Sequence, residues 1–328
     1  MNILVTGSNG HLGEALMRTL ENSNHKVTGV DILPGKYTHF VGSVADRSFV
    51  REQVQGMEAI LHTATLHKPH VVTHTHQDFV DTNITGTLNL LEEAVAQGVG
   101  SFIFTSTTST FGDALTPAAH EPAAWITENV QPVPKNIYGV TKTAAENLCQ
   151  LIHRNKQLNV LVLKTSRFFP EEDDKKSRRA AYSDANLKAN EFLHRRVDIQ
   201  DVVDAHLLAL ERAPLIGFGK YIISAMAPFT PGDCAELQRN APAVIKRYYP
   251  EYEELYRQAG WKMFPAIGRV YVNIKAGKEL GWVPKYSFQH VLNCLREGKD
   301  YRSPLTRIIG KKGYHSEKFK EGPYPVSE

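Results

Sequence analysis

Residues 3–13, Ile-Leu-Val-Thr-Gly-Ser-Asn-Gly-His-Leu-Gly, constrain this chain more than any other stretch. Ile3, Leu4 and Val5 form an apolar run too short for a helix and suited to a strand buried in a parallel sheet. Gly7, Gly10 and Gly13 come next at three-residue spacing, and a helical repeat then begins with Leu12, Ala15, Leu16 and Leu20. Strand, glycine turn and helix N-terminus together make an anion site. Glycine permits the tight turn and lets a pyrophosphate approach the backbone, beside amide N–H groups at the positive end of the helix dipole. Ordinary strand-to-helix turns also favour glycine, so the second strand of the unit carries the weight. That strand, residues 27–30, is apolar and ends in Asp31, 18 residues beyond Gly13. A carboxylate there can accept both ribose hydroxyls of an adenosine. It would repel a 2′-phosphate, and no Arg follows it directly, so NAD is expected rather than NADP.

The chain has 328 residues, 42% of them hydrophobic, enough for a full core and two lobes. Charged residues make up 22% with a formal net charge of +3, and no basic stripe with interleaved aromatics points to nucleic acid. The basic C-terminal residues Lys311, Lys312, Lys318 and Lys320 read as solvated surface. Three dispersed cysteines, Cys149, Cys234 and Cys294, argue against a disulfide framework or a zinc site. The chain opens on a core strand, and no apolar run reaches the ~20 residues that span a bilayer. A cytoplasmic protein is expected, with no membrane attachment.

Strand and helix signals alternate through the first half, which predicts an α/β fold: a Rossmann doubly wound parallel sheet with a smaller α-rich C-terminal substrate lobe. Strands are expected at 39–41, 59–61, 102–105, 160–163 and 221–224, and helices at 45–54, 78–97, 137–153, 197–212 and 248–260. Residues 170–179, mixing four acids with four bases, read as an exposed loop. Residues 1–165 are expected to form the NAD-binding domain, with 195–226 returning to it. Residues 166–194 and 227–328 would form the substrate lobe and tail.

Tyr138 and Lys142 stand four residues apart on one helix face. A phenol near its usual pKa of ~10 is a poor base at neutral pH. A nearby ammonium stabilises the phenolate and lets Tyr exchange protons with a substrate hydroxyl. Tyr271 and Lys275 have the same spacing, but Tyr138 opens an Ala-rich helix after a strand that ends in hydroxyls, residues 105–110, and Tyr271 does not.

The chain resembles the extended short-chain dehydrogenase/reductases, the group that contains the NAD-dependent sugar epimerases and dehydratases. The resemblance rests on Thr6-Gly7-x-x-Gly10-x-x-Gly13, Asp31, His62-Thr-Ala64, Asn83, the hydroxyl-rich strand end before Phe111-Gly112, Tyr138-x-x-x-Lys142, residues 197–206 and Leu280-Gly281-Trp282-x-Pro284. It implies that Tyr138 is the general acid/base, Lys142 its pKa-lowering partner, and Thr107 the hydroxyl at the reacting oxygen, with Ser106 and Thr108 one residue either side. It implies cofactor contacts from Gly7, Asn9, Gly10, His11, Leu12, Gly13, Asp31, Thr63, Ala64, Thr65, Asn83, Tyr138 and Lys142. Ser43 and Val44 stand where the family usually has an Asp before an apolar residue to meet the adenine, and Phe168 follows the strand that lines the nicotinamide pocket. Thr108, Phe169, Arg195 and Arg196 are expected at the substrate. His194 stands where nucleotide-sugar enzymes often place a diphosphate-binding Arg, and Phe111 replaces a Tyr. Thr108-Ser109 replaces the acidic pair that dehydratases carry.

His62, His67, His70, His74 and His76 lack nearby cysteines or clustered carboxylates, and two of their spacings do not match a helix face, so no metal is expected. His67 and Lys68 are expected near the cofactor phosphates. What the resemblance implies is a sugar or nucleotide-sugar epimerase working through a transient keto intermediate, as a homodimer. The alternatives are a sugar, uronate or alcohol dehydrogenase with net oxidation, and a non-catalytic dinucleotide-binding regulator.

Overall fold

The computed structural model of the chain describes residues 1–118, 120–313 and 319. Nine strands occur among them: β1 (Asn2–Thr6), β2 (Lys26–Asp31), β3 (Phe40–Val41), β4 (Ala59–His62), β5 (Ser101–Thr107), β6 (Ala124–Ile126), β7 (Asn159–Thr165), β8 (Phe218–Ile223) and β9 (Arg269–Tyr271). Seven of them form a parallel sheet in the order β3-β2-β1-β4-β5-β7-β8, while β6 and β9 pair apart. The strand order reverses at β1 and β4, so the crevice at their C-terminal ends is where an α/β sheet takes a ligand.

Alternate strand residues feed opposite faces of the sheet, which is why these strands read as unbroken apolar runs. Ile3, Val5, Leu61, Ile103 and Leu161 pack with Leu12 and Leu16 of the His11–Glu21 helix and Val202 and Val203 of the Ile199–Ile216 helix. Leu4, Ile60, Phe102, Phe104 and Val160 face Leu90, Leu91 and Ala145 on the other side. A separate apolar cluster built around Leu193, Leu237, Val244, Tyr256 and Phe288 forms the α-rich remainder.

Several expectations need correction. The helix expected over 78–97 starts at His76 and contains a π turn, Val80–Thr85, before the regular Gly86–Ala96 stretch. Hydrophobic periodicity does not separate a π turn from an α turn. The aromatic helix expected at 248–260 is the end of one helix, Cys234–Tyr248, and the whole of another, Tyr252–Ala259, on either side of Pro250. Residues 170–179 are not an exposed loop throughout: Glu171 is buried against His11 and Asp173 against Arg167, and although Lys175 and Lys176 are exposed, a helix begins at Lys176. The 227–328 stretch is not wholly outside the nucleotide-binding core, since Ala276, Leu280, Trp282, Leu305 and Ile309 pack in the same cluster as Ile3. The Trp282 indole donates to the Asp201 carbonyl at 2.9 Å, joining two motifs far apart in sequence. Tyr271 sits in β9 against Phe111, and Lys275 donates to the Lys220 carbonyl, so this look-alike pair serves packing. Lys318 and Lys320 lie outside the described residues. Among the described residues no helix is long and apolar enough to cross a membrane.

Candidate active site

The glycine turn is compressed to the point where side chains are forbidden. Gly7 has φ +72°, and a Cβ on it would lie 2.7 Å from the Ala64 amide nitrogen. A Cβ on Gly13 would lie 1.9 Å from the Gly7 carbonyl oxygen. The bare turn and the first turn of the His11–Glu21 helix line a cleft of about 1360 Å³ at the C-terminal ends of β1 and β4. The Asp31 carboxylate is fixed at its rim, accepting from the Asn9 and Leu33 amides, both at 2.9 Å. Its remaining lone pairs stay available to ribose hydroxyls. A cradle that a Cβ would fill, an oriented acid and this volume all fit an NAD molecule.

Every residue expected at the cofactor lines this cleft except two. Asn83 lies behind it, in the π turn. Its side chain accepts from the Thr65 hydroxyl and the Leu66 amide, and donates to the Leu66 carbonyl and the Thr141 hydroxyl, all within 3.0 Å. The wider turn aims this amide inward, tying the cleft loop to the Ile137–Lys156 helix; π turns often mark such places. Lys142 is the other exception, buried with its Nζ 4.0 Å from the centroid of the Phe104 ring.

Tyr138, Thr107 and Thr108 line the cleft at the end of β5, beside β4. Thr107 acts on the phenol, lowering its pKa, and accepts from the Ser109 amide at 3.1 Å, whereas the neighbouring Ser106 hydroxyl donates to Glu146 at 2.5 Å. Burial pushes Tyr138 up to about 12, opposed by Thr107, and pushes Lys142 down to about 7. The four-residue spacing predicts that Lys142 pulls the phenol down. Desolvation dominates both groups instead, because it penalises phenolate and ammonium alike.

Opposite the phenol, His67 stacks on Phe169 at 5.2 Å, and Phe169 leans on Phe168 at 4.3 Å. Lys68 pairs with Asp174, which also holds Arg167 at 2.9 Å. His62 is a buried link from β4, with its ring nitrogens 2.7 Å from the Thr6 hydroxyl and 3.0 Å from that of Thr87; burial pushes it well below the usual imidazole range. Among the described residues no three His, Cys, Asp or Glu side chains converge on one point.

The two arginines expected at the substrate part company. Arg196 reaches the cleft, held by Glu191 and the Phe169 carbonyl. Arg195 lines a second cavity of about 630 Å³, together with Arg178, Tyr182, His194, Phe264 and Arg269. Asp173 and Glu191 stand between the two spaces. Arg167 bonds them from the cleft at 2.5 and 3.2 Å, and Arg178 approaches them from the second cavity at 3.8 and 3.6 Å. The Arg195 Nε and His194 Nδ1 atoms are themselves buried without a hydrogen-bond partner.

Sequence reasoning missed three features: this carboxylate pair, the buried Glu146–Lys164 ion pair at 2.6 Å, and the seating of Lys312 on the glycine turn. Glu146 alone carried a signal, since it lies four residues after Lys142 on the same helix face.

A Rossmann sheet whose crevice holds a glycine cradle, an oriented acid and a Thr–Tyr pair beside a buried Lys defines a dinucleotide-dependent enzyme of the oxidoreductase type. The chain belongs to the NAD-dependent epimerase/dehydratase family, whose model matches residues 3–217. It is an NAD-dependent enzyme of the extended short-chain dehydrogenase/reductase type. It is 26% identical over 326 residues to a UDP-glucose 4-epimerase of Rhizobium leguminosarum bv. trifolii, covering 88% of this chain and 94% of that one. An uncharacterised Sinorhizobium fredii protein, y4nG, is 29% identical over 167 residues, which cover 49% of this chain and 39% of its own. The fold matches the Thermotoga maritima UDP-glucose 4-epimerase solved with UDP-glucose, with a TM-score of 0.61, 23% identity and coverage of 91% and 99%.

Proposed function

We propose that the chain is a nucleotide-sugar epimerase that inverts a carbinol carbon through a ketone. The observation that carries this reading is the arginine-lined cavity, separated from the NAD cleft by one shared carboxylate pair. Arg178, Arg195 and Arg269, which line that cavity, would hold a substrate diphosphate. Burial pushes His194 down to about 4, so it meets such a group as a neutral ring and the charge comes from the arginines. Thr108 and Phe169 would meet the sugar in the cleft. The full-length similarity to a UDP-glucose 4-epimerase supports the same reading.

When bound, NAD supplies the two-electron acceptor and donor for the carbinol carbon. The chain's own residues handle the proton and the charge. Thr107 donates to the reacting oxygen, and Tyr138 takes the hydroxyl proton and later returns it. A phenol held at about 12 is a weak base near neutral pH, so the proton transfer requires Lys142, one helical turn on, to carry its charge beside it. A cleft of about 1360 Å³ leaves the ketone room to turn between oxidation and return.

The test is to denature the purified protein, quantify released NAD(H), and supply a panel of nucleotide sugars without added cofactor. Retained NAD with appearance of an epimer, lost in Tyr138→Phe, supports the proposal. An empty protein that accumulates NADH from added NAD and a sugar would assign net dehydrogenation instead, and bound NAD with no turnover would leave a regulator. We also propose a homodimer, since Val140 and Leu151 are exposed on the Ile137–Lys156 helix; a monomeric mass by light scattering would refute it.

A further inference from the structure

The phosphate end of the cleft carries a charge problem. Glu14, in the first helical turn, and Glu171 and Glu172, on the cleft wall, gather where a dinegative diphosphate would bind. The helix N-terminus favours the anion, but three nearby carboxylates oppose it at roughly the same range. The C-terminal segment answers them. Lys312 bridges the glycine turn and its surroundings: its Nζ donates to the Asn9 carbonyl at 2.9 Å and pairs with Glu14, while its amide donates to Glu171 at 3.0 Å. Glu171 is held in turn by His11 Nε2 at 2.9 Å, with both side chains buried. Lys311 pairs with Glu172, and Lys312 and Gly313 themselves line the cleft. The strap therefore lies across the entrance to the glycine turn, some 300 residues along the chain from the turn it holds.

We propose that Lys312 is a dinucleotide-binding residue and that residues 311–313 are a clasp that must open for NAD to leave. The ammonium fixes the carbonyl of the turn, so the amides on its other side stay aimed at the diphosphate. It also offsets Glu14, which is otherwise left to Arg18. Opening the clasp breaks the Lys312 contacts to Asn9, Glu14 and Glu171 together, which slows cofactor exchange. The proposal rests on NAD occupying the cleft and is independent of which sugar is turned over.

The experiment uses the full chain stripped of cofactor and reloaded with NADH. Dissociation is followed by the loss of bound NADH fluorescence on mixing with excess NAD. Lys312→Ala should release NADH about tenfold faster, the scale of one lost hydrogen bond to a charged group. Lys312→Gln, which keeps the stem and one donor, should fall between it and the parent. Cofactor-free melting of Lys312→Gln measures what the lost contacts cost folding, and faster NADH release from a variant that is still fully folded at the assay temperature separates a binding effect from a folding one. Should Lys312→Ala not fold, the Gln variant is read alone. In the parent, NADH should slow tryptic cleavage after Lys311 and Lys312. Release rates within about twofold of the parent in every folded variant, or cleavage indifferent to NADH, would overturn the clasp.

Discussion

Lys142→Met is expected to stabilise the cofactor-free protein while abolishing turnover. Lys142 is 2% exposed, and burial lowers its pKa from the usual 10.5 to about 7, with nearby Glu146 offsetting part of the effect. At ~1.4 kcal/mol per pH unit, that interval corresponds to about 5 kcal/mol of penalty for carrying the charge in the folded state. The sign comes from proton counts. Between about pH 7 and 10.5 the unfolded chain holds a proton on Lys142 that the folded chain lacks, so stability rises with pH across that window. Below about pH 7 both states are charged and the whole penalty is present. Methionine keeps the length and removes the charge. It also loses the cation–π contact with Phe104, worth about 1–2 kcal/mol when desolvated. Local relaxation trims the penalty further, leaving a net gain of about 2–4 kcal/mol at pH 6 to 7. Urea unfolding of parent and variant, both without NAD, measures it. The difference should shrink toward zero, or reverse slightly, as pH approaches about 10. Tyr138, raised to about 12, perturbs stability above pH 10 and cancels between the two proteins. A difference that is flat with pH, or a variant less stable than the parent at pH 7, would refute the argument.

Gly13→Ala should weaken NAD binding about 100-fold in calorimetry, the scale of two lost charged hydrogen bonds. Its Cβ would sit 1.9 Å from the Gly7 oxygen and force the turn open. Tyr138→Phe should lower kcat by about 10²–10⁴ while leaving NADH affinity within a few-fold, and a variant of near-parental kcat would remove Tyr138 from the chemistry. Glu146→Leu should destabilise by about 3–5 kcal/mol, because the Lys164 ammonium, 2.6 Å from the carboxylate, is left buried and unpaired. The double variant Glu146→Leu/Lys164→Met should recover most of that loss, and failure to recover would show that the charge pair is not the cause.

Features that are local in the chain are legible in its residues alone. Strand β1, the glycine turn and the His11–Glu21 helix are read from one continuous stretch, residues 3–20, since turn sterics and helical periodicity act over a few positions. Asp31 is legible for the same reason, at a fixed distance along one βαβ unit. Packing in three dimensions settles whatever depends on through-space charge and burial. Residues 170–179 look like a solvated loop because acids and bases in equal number are usually exposed, yet Arg167, Arg178 and Arg195 converge there and carry Asp173 inward. Lys312 reads as tail and becomes part of the glycine turn. Spacing finds Tyr138 and Lys142 but not their ionisation, because desolvation is a property of everything packed around a group and no sequence window contains it.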